Sequence, residues 1–432
     1  MLVDYSSLLS ELFEDEDVFS RLDVAVQKQI VVLTPEKLFY VLRHSPELID
    51  AIGLVIYDEG HQFDSGQRGV TYELLLTSIK RLLTKDKQIV LISAVITNAE
   101  AIGRWLIGEQ VVLVEGKDLS TTRRSVAFAS WTNPLGQLRF VEPHDPEHVE
   151  YFVPRLIEQR PLTLRPRERT PRVFPERSAN SVALYLGLQV VRNGSVAIFC
   201  GKKATAGSIA AAAVDAFTRG LEMTPPSQFC DPNELIALGN LYAAHFGDDA
   251  EITRAARLGI FSHHGNTPQG IRLSVEVAIK ENLAKFVICT STLAQGVNLP
   301  LRYLIVSGTM QGVDRIKARD FHNLIGRAGR AGMHTEGTII FSDPNLYDQR
   351  FNFSERWRWQ EATNLLNPNS TEKTASSLLD MLAPFQNQRE DQILAMDINE
   401  ALRQLLQSPD ALKSQLAAAA FAYGTSCSLK TG

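Results

Sequence analysis

The chain has 432 residues, of which 44% are hydrophobic and 22% are charged, a composition typical of a soluble globular protein with two or three domains. Its net charge of −5 argues against a protein that coats nucleic acid through bulk positive charge. No run of about 18 apolar residues predicts a membrane span, and the four scattered cysteines indicate a reducing, cytosolic setting.

Residues 1–131 alternate short helices and strands. The apolar run Leu54–Tyr57 predicts a strand covered on both faces, and Thr34 followed by Pro35 is typical of a helix start. The other predicted elements are a helix within 1–28, a strand at 29–33, helices at 36–44, 70–83 and 99–107, and strands at 88–92 and 111–114. This alternation predicts an α/β fold with a parallel sheet.

Residues 132–178 differ in composition from the rest. Between Arg160 and Arg177, four prolines are interleaved with six arginines, which does not favour a packed core. We predict a solvated linker or loop here. A basic arm that contacts a nucleic-acid strand is the alternative.

A second alternation begins at about residue 179 and predicts a second α/β unit. Its predicted strands lie at 195–199, 259–264, 286–289, 303–307 and 337–341. Its predicted helices lie at 179–192, 204–219, 268–283 and 318–327, with a helical insertion within 221–258. From residue 354 onward the pattern is mostly helical.

Two adjacent carboxylates follow the first buried strand, in the sequence Asp58-Glu59-Gly60-His61. In an open parallel sheet, ligands bind beyond the carboxyl ends of the strands. One acid there can hold Mg²⁺ beside nucleotide phosphates, and the second can orient or deprotonate an attacking water. Taken alone, the four residues also fit a solvated acidic turn.

Two longer stretches come later in the chain. Thr290–Pro300 reads Thr-Ser-Thr-Leu-Ala-Gln-Gly-Val-Asn-Leu-Pro, in which hydroxyls at a strand end can bind phosphate and the glycine turn lets backbone approach a nucleotide. His322–Gly332 places Arg327 and Arg330 three residues apart, on one face of a helix.

In this order, these stretches resemble the motifs of superfamily 2 DExH-box helicases, most closely the superkiller-like group. Asp58–His61 resembles the DExH box, and the other likenesses lie at Thr34–Lys37, Ser93–Val95, Phe199–Lys203, His263–Gly265, Thr290–Pro300 and His322–Gly332. The resemblance implies an α/β fold with two RecA-like parallel-sheet domains, the first incomplete. The predicted domains are a partial first domain at 1–131, a linker at 132–178, a second domain at 179–345, and a helical region at 346–432 that begins a winged-helix or ratchet domain.

The same resemblance implies roles for single residues around ATP and Mg²⁺, which would lie between the two domains. Asp58 would bind Mg²⁺ and Glu59 would activate water. Arg327 and Arg330 would be arginine fingers, which accelerate phosphoryl transfer by about 10³–10⁵. Nucleotide contacts are implied for Gly296, Asn298 and Asn323, and relay roles for His61, Ser93 and Ala94. Contacts with single-stranded or partly duplex RNA or DNA are implied for Thr34, Pro35, Gly201, Lys202, His264, Gly265, Thr290 and Thr292.

Three positions depart from the family pattern. Val95 replaces a threonine and removes a hydroxyl, Gln295 replaces a glutamate, and Asn323 replaces a glutamine. One coupling hydrogen bond and one nucleotide contact of the family are therefore in question.

The Walker A loop, Gly-x-x-x-x-Gly-Lys-[Ser/Thr], does not occur before Asp58. Three explanations follow: the chain is a fragment of a longer helicase, which we favour; a second polypeptide supplies the loop; or the chain is a nucleotide-independent scaffold that binds nucleic acid or protein. The sequence therefore predicts an ATP-dependent helicase within a longer or split protein, with a catalytically inactive scaffold as the alternative. Loss of part of the first sheet would expose apolar faces.

Overall fold

The structure is a computed structural model. It describes residues 30–64, 66–84, 87–93, 96–114, 116, 123–132, 134–290, 299–311, 314–326, 336–367, 370, 374–378, 385–386, 393–394 and 403. The helix predicted within 1–28 lies outside these residues.

The first α/β unit is built around two parallel strands. Its elements in order are α1 (Pro35–His44), α2 (Leu48–Ala51), β1 (Leu54–Tyr57), a 3₁₀ helix (Gly60–Asp64), α3 (Gly66–Leu82), β2 (Gln88–Leu91) and α4 (Ala99–Leu106). Val55 lies opposite Ile89 in the ladder. The inner face of β1 packs with α3 and α4, where Leu76 and Leu106 are buried.

The outer face of this small sheet is exposed in the part of the chain that the structure describes. Leu54, Ile56 and Val90 are exposed, whereas the strand was predicted to be covered on both faces. The strands predicted at 29–33 and 111–114 are also wrong for their described residues, which have no ladder partner and include exposed side chains such as Ile30 and Val112. Apolar, β-branched sequence does not form a strand without a neighbour to satisfy its backbone.

The second unit contains an eight-stranded sheet. Its strands are β3 (Arg123–Ser130), β4 (Gly136–Glu142), β5 (Asp145–Ile157), β8 (Val196–Phe199), β9 (Phe261–His263), β10 (Phe286–Cys289), β11 (Tyr303–Val306) and β14 (Glu336–Phe341). Their spatial order is β5-β4-β3-β14-β11-β8-β10-β9. The six strands from β3 to β9 in this order are parallel, and β4 and β5 pair antiparallel with their neighbours.

Helices cover both faces of this sheet. They are α5 (Ala179–Val190), α6 (Lys203–Thr218), α7 (Pro232–Phe246), α8 (Glu251–Arg257), α9 (Gln269–Lys280), α10 (Ala318–Ile325), α11 (Pro344–Asp348) and α12 (Arg356–Leu366). On β8, Ile198 packs on the α5–α6 side and Phe199 on the side of α7, α9, α10 and α12. A strand buried on both faces needs apolar residues at every position, as Val196–Phe199 has.

The predicted boundary between the two domains is corrected by the pairing of β3. Val126 of β3 lies opposite Ile339 of β14, so residues 123–130 belong to the second sheet although they were predicted in the first domain. Phe128 fixes this pairing, since its ring lies 4.7 Å from those of Phe341 and Trp359. Each such aromatic pair stabilises by about 0.5–1.5 kcal/mol beyond its buried area.

The segment predicted as a linker is also structured. Residues 132–178 hold β4 and β5 and a hairpin of β6 (Arg160–Leu162) with β7 (Arg172–Phe174). Arg219, only 6% exposed, connects this segment to α6. It forms ion pairs with Glu168 of the segment at 2.6 Å and with Asp215 of α6 at 2.7 Å. The acids near its arginines explain why an arginine-rich and proline-rich stretch packs on the domain.

The part after α12 is described only in places. Beyond Asn367 the described residues include Thr374–Leu378 without regular structure and a two-residue ladder of β15 (Phe385–Gln386) with β16 (Ile393–Leu394). Two further short strands, β12 (Met310–Gln311) and β13 (Asp314–Arg315), form a hairpin after β11. No helix of the described part is long and apolar enough to cross a membrane.

Candidate functional site

The two carboxylates lie where β1 ends, as predicted. Asp58 is exposed and its Oδ1 accepts a hydrogen bond from the Glu59 amide at 3.0 Å. Glu59 has φ of +51°, a left-handed conformation that disfavours a non-glycine residue by about 1–2 kcal/mol. This turn directs the chain into the 3₁₀ helix, whose Gly60 amide donates to Ile92 O at 2.8 Å.

His61 joins the acidic turn to the end of β2. Its Nδ1 lies 2.8 Å from Ser93 Oγ and 3.4 Å from Glu59 Oε2. Burial, reinforced by the charge of Arg319, lowers the pKa of His61 to about 4. At neutral pH, His61 is therefore uncharged and forms a hydrogen-bonded bridge between the two predicted motifs.

Protonation of His61 is expected to destabilise the fold in acid. The folded pKa of about 4 lies below the ordinary value of 6.5, so the unfolded state binds more protons between these two pH values. This contribution to stability is complete above about pH 6.5 and is lost as the pH falls towards 4, amounting to about 3 kcal/mol. Urea unfolding across this range should show a flatter pH dependence for His61→Asn than for the unchanged chain. Equal slopes would contradict the prediction.

A charged contact connects this turn to the second unit. Arg319, on the first turn of α10 and 3% exposed, donates from Nη1 to Asp64 Oδ2 at 3.3 Å. Lys317 lies 3.8 Å from the same carboxylate. Asp64 ends the 3₁₀ helix that carries His61. The acidic turn and α10, which leads towards Arg327, are thus held together.

Residues Thr374–Leu378 form a clasp that returns from the second unit to the first. Asn98 and Thr374 exchange two hydrogen bonds, at 2.9 and 3.1 Å, and Arg319 Nη1 donates to Thr374 Oγ1 at 3.4 Å. Ser376 Oγ donates to the buried carboxylate of Glu73 at 2.5 Å. The clasp satisfies an acid that would otherwise be buried without a partner.

Gly69 gives a test of this clasp. A Cβ at Gly69 would overlap Ser377 Oγ and Phe63 O and lie 2.9 Å from the Phe63 carbonyl carbon. We expect Gly69→Ala to lower the free energy of unfolding by about 1–3 kcal/mol, because backbone has to move. Gly207→Ala is the matched control: its Cβ meets nothing within 4 Å on α6, so the gain in helix propensity should stabilise by about 0.5–1 kcal/mol. Thermal unfolding of both variants checks the opposite signs, and stabilisation by Gly69→Ala would contradict the close packing of Gly69 against Phe63 and Ser377.

The predicted strand-binding residues of the second unit meet at one edge of the sheet. Lys202 follows β8, Thr290 follows β10 and His264 follows β9, and these three strands are parallel neighbours. The Thr290 amide donates to His263 O at 3.2 Å. Gly201 and Gly265 accompany them, and Lys202 and Gly265 are exposed.

His264 is fixed in this edge. Its Nδ1 lies 3.2 Å from Thr267 Oγ1, and burial together with the charge of Lys203 lowers its pKa. Next to it, His263 Nε2 lies 2.6 Å from Glu276 Oε1, which ties β9 to α9. The turn after β9 is therefore rigidly placed, and its neutral histidine can donate or accept a hydrogen bond.

In the first unit, Thr34 and Pro35 have the predicted helix-start geometry. Thr34 caps α1, its Oγ1 accepting from the Lys37 amide at 3.3 Å, and Pro35 occupies the first helical position. Asn323 lies half-buried on α10, four residues after Arg319 and so on the same helix face. Ala94, Thr292, Gly296, Asn298, Arg327 and Arg330 lie outside the described residues.

The site fits a magnesium nucleotide in part. The exposed Asp58 carboxylate suits Mg²⁺, which proteins hold through one or two carboxylates together with substrate phosphates. The described ranges contain no cluster of three or more His, Cys, Asp or Glu side chains that could hold a metal ion. The phosphate-binding loop that would complete the site has no counterpart before Asp58 in the sequence.

Comparisons with known proteins agree with these two units. A DEAD/DEAH box helicase family matches residues 8–102, and the helicase conserved C-terminal domain matches residues 241–332. These two stretches are similar to the two domains of superfamily 2 helicases. The two α/β units of the chain are accordingly RecA-like helicase domains, while the superkiller-like assignment stays a prediction.

Relatives of known name cover most of this chain. Hachiman protein HamB of Bacillus cereus is 31% identical over 337 residues, which is 75% of this chain and 29% of HamB. ATP-dependent DNA helicase Hel308 of Methanocella arvoryzae is 24% identical over 389 residues, 88% of this chain and 47% of Hel308. Helicase POLQ-like of Homo sapiens is 26% identical over 298 residues, which is 68% of this chain and 24% of the human protein. The chain therefore spans less than half the length of each of these relatives.

Arg319 and Asp64 are the site residues that the sequence did not predict. Arg319 precedes the helicase motif in α10, and Asp64 lies three residues after His61. The only signal in the sequence is their closeness to two motifs, since neither residue type is unusual on a helix.

Proposed function

We propose that this chain is the motor part of an ATP-dependent helicase or translocase, in which ATP hydrolysis drives movement along a nucleic-acid strand. The observation that carries the proposal is the Arg319–Asp64 contact, which links the acidic turn after β1 to α10 of the second domain. A site divided between two domains is completed only when they close, and closure can then move a bound strand.

Each residue of the site has a part in this mechanism. When bound, ATP with Mg²⁺ would supply the γ-phosphoryl group, which is transferred to water with ADP as the leaving group. Asp58 would hold the metal ion, and Glu59 would take a proton from the attacking water. His61, kept neutral by burial, contacts Ser93 at 2.8 Å, so a movement of the acidic turn on nucleotide binding would also move Ser93. Arg327 and Arg330, which lie outside the described residues, would stabilise the charge on the transferred phosphoryl group.

A nucleic-acid strand would cross the edge formed by Lys202, His264 and Thr290 and reach Thr34 on the first domain. Helix starts and strand ends offer backbone N–H groups and hydroxyls to phosphates, so this grip is independent of base sequence. The Hel308 relative is named a DNA helicase, which favours DNA over RNA as the strand.

The phosphate loop is supplied from outside these 432 residues, by another part of the same protein or by a second polypeptide. The uncovered outer face of the first sheet, with Leu54, Ile56 and Val90 exposed, supports this, because additional strands or helices could cover it. The two family matches favour a helicase over an inactive scaffold.

ATP hydrolysis by the purified chain, with and without single-stranded DNA or RNA, tests the proposal. Hydrolysis that nucleic acid stimulates would support a motor that is active as it stands. A folded chain that binds a strand and hydrolyses ATP only when a polypeptide with a Walker A loop is added would support the divided motor. A folded chain that binds neither a nucleic-acid strand nor nucleotide, with or without the added polypeptide, would overturn the proposed function.

A further inference from the structure

Three exposed aromatic side chains follow α11, and each lies against an arginine. Phe351, Phe353 and Trp357 are 78%, 83% and 48% exposed. The distances from guanidinium carbon to ring centre are 4.2 Å for Arg350 and Phe351, 4.9 Å for Arg356 and Phe353, and 5.7 Å for Arg315 and Trp357. We call these six side chains the aromatic-arginine segment. None of them belongs to the motifs that carry the proposed function.

The Trp357 and Arg315 part of the segment lies on the same edge of the sheet as the strand-end residues. Arg358, next to Trp357, forms an ion pair with Asp343, which comes two residues after the end of β14. Arg315 belongs to the hairpin that follows β11. Both strands are parallel to β8, and Lys202 follows the end of β8. Since neighbouring strands are about 4.8 Å apart, the end of β14 is roughly 10 Å from the end of β8.

The positive charge of the segment comes from its three arginines, two of which have a carboxylate partner. Arg315 pairs with the mostly buried Glu361 at 2.9 Å, and Arg350 lies 3.9 Å from Glu147. In the described part of the chain, Arg356 has no ion pair. An arginine held over an aromatic ring can pair with a phosphate while the ring stacks on a base, because the guanidinium keeps its in-plane donors free.

We propose that the aromatic-arginine segment is a base-stacking site for single-stranded nucleic acid, which continues the path from Lys202 along the edge of the second domain. Grooves that bind single strands combine such positive charge with aromatic rings, and every base offers a face to stack. Exposed Phe, Trp and Arg also occur in protein interfaces. The shared edge with Lys202, His264 and Thr290 favours a strand as the occupant. This inference rests on the proposed function.

Fluorescence anisotropy with labelled oligo(dT) and oligo(U) tests the site in the full chain. For Phe353→Leu combined with Trp357→Leu, we expect a loss of affinity of at least about fivefold. The ring-retaining pair Phe353→Tyr with Trp357→Phe should stay within about twofold of the unchanged chain. Because stacking carries no charge, the salt dependence should be the same in both. Arg356→Gln should instead reduce the slope of log Kd against log salt by about 0.7.

Two further results separate the outcomes. Photocrosslinking of 4-thiothymidine oligo(dT) to the unchanged chain should label a peptide that contains residues 350–357, which requires no variant to fold. If the leucine pair binds both oligonucleotides as the unchanged chain does while Lys202→Ala binds weakly, this inference is wrong and the proposed function stands. If the unchanged chain binds no strand, both fail. Unaltered strand binding with loss of a bound protein would overturn the inference in favour of a protein interface.

Discussion

Replacing Glu59 by Gln is expected to lower the rate of ATP hydrolysis by about 10²–10⁴-fold, the range for removal of a general base. The expectation applies to any preparation in which the chain supports hydrolysis. Gln keeps the size of the side chain and its hydrogen bonds, but it does not accept a proton. Glu59 suits the role because it follows Asp58 at the end of β1, and His61, 3.4 Å from its carboxylate, is uncharged at neutral pH.

Glu100→Gln provides the matched control for this measurement. Glu100 lies on α4 of the same domain and pairs only with Arg104 at 2.6 Å, four residues away on an exposed helix face. Its loss should leave hydrolysis unchanged and stability within about 0.5 kcal/mol. Steady-state phosphate release by the two variants, at saturating ATP and oligo(dT), makes the comparison. An equal effect of both substitutions would remove Glu59 from the chemistry.

The strands of the second domain were predictable because each buried strand is an uninterrupted run of apolar residues in the sequence. Val196–Phe199, Phe286–Cys289 and Tyr303–Val306 are apolar at every position, and the structure confirms all three within one residue of the predicted limits. The ends of such strands are also local, so the meeting of Lys202, Thr290 and His264 at one edge follows once the strands are parallel.

Pairing between distant strands was not predictable in the same way. β3 precedes the proline-rich segment and was predicted in the first domain, yet it pairs with β14 near the end of the second. The partner of a strand is chosen by packing, as in the contact of Phe128 with Phe341, and not by its own pattern. The apolar residues at 29–33 show the converse, since without a partner their described part is not a strand.

Packing between distant segments also explains why the sequence did not predict Arg319 and Asp64 as site residues. His61 and Ser93 were both recognised from motifs, and their contact confirms that the two motifs meet. Arg319 and Asp64 are 255 residues apart and belong to no motif, so only the packing of α10 on the 3₁₀ helix brings them together. Their contact is the part of the site that gives the strongest test of the domain arrangement.

Asp64→Asn is expected to lower the free energy of unfolding by about 2 kcal/mol, because it leaves the buried guanidinium of Arg319 without its 3.3 Å partner carboxylate. Asp320, at 3.7 Å from Arg319 Nε, offsets part of the loss. Arg319→Met should cost less, since an apolar side chain of similar length replaces the buried charge. The double variant should therefore be more stable than Asp64→Asn alone. Urea unfolding of the three variants gives the coupling directly.

The pKa of His61 provides a second test of the Arg319–Asp64 contact. The Arg319 charge lowers the pKa of His61 and the Asp64 charge raises it. Arg319→Met should therefore raise this pKa and Asp64→Asn should lower it, as NMR titration of the His61 ring would record. Glu36→Gln is the control, because it breaks the exposed ion pair of Glu36 with Arg68 and should cost less than about 1 kcal/mol without moving the His61 pKa. Shifts of His61 in the same direction for both variants, or additive stabilities, would mean that Arg319 and Asp64 do not meet in solution and that the acidic turn is not held against α10.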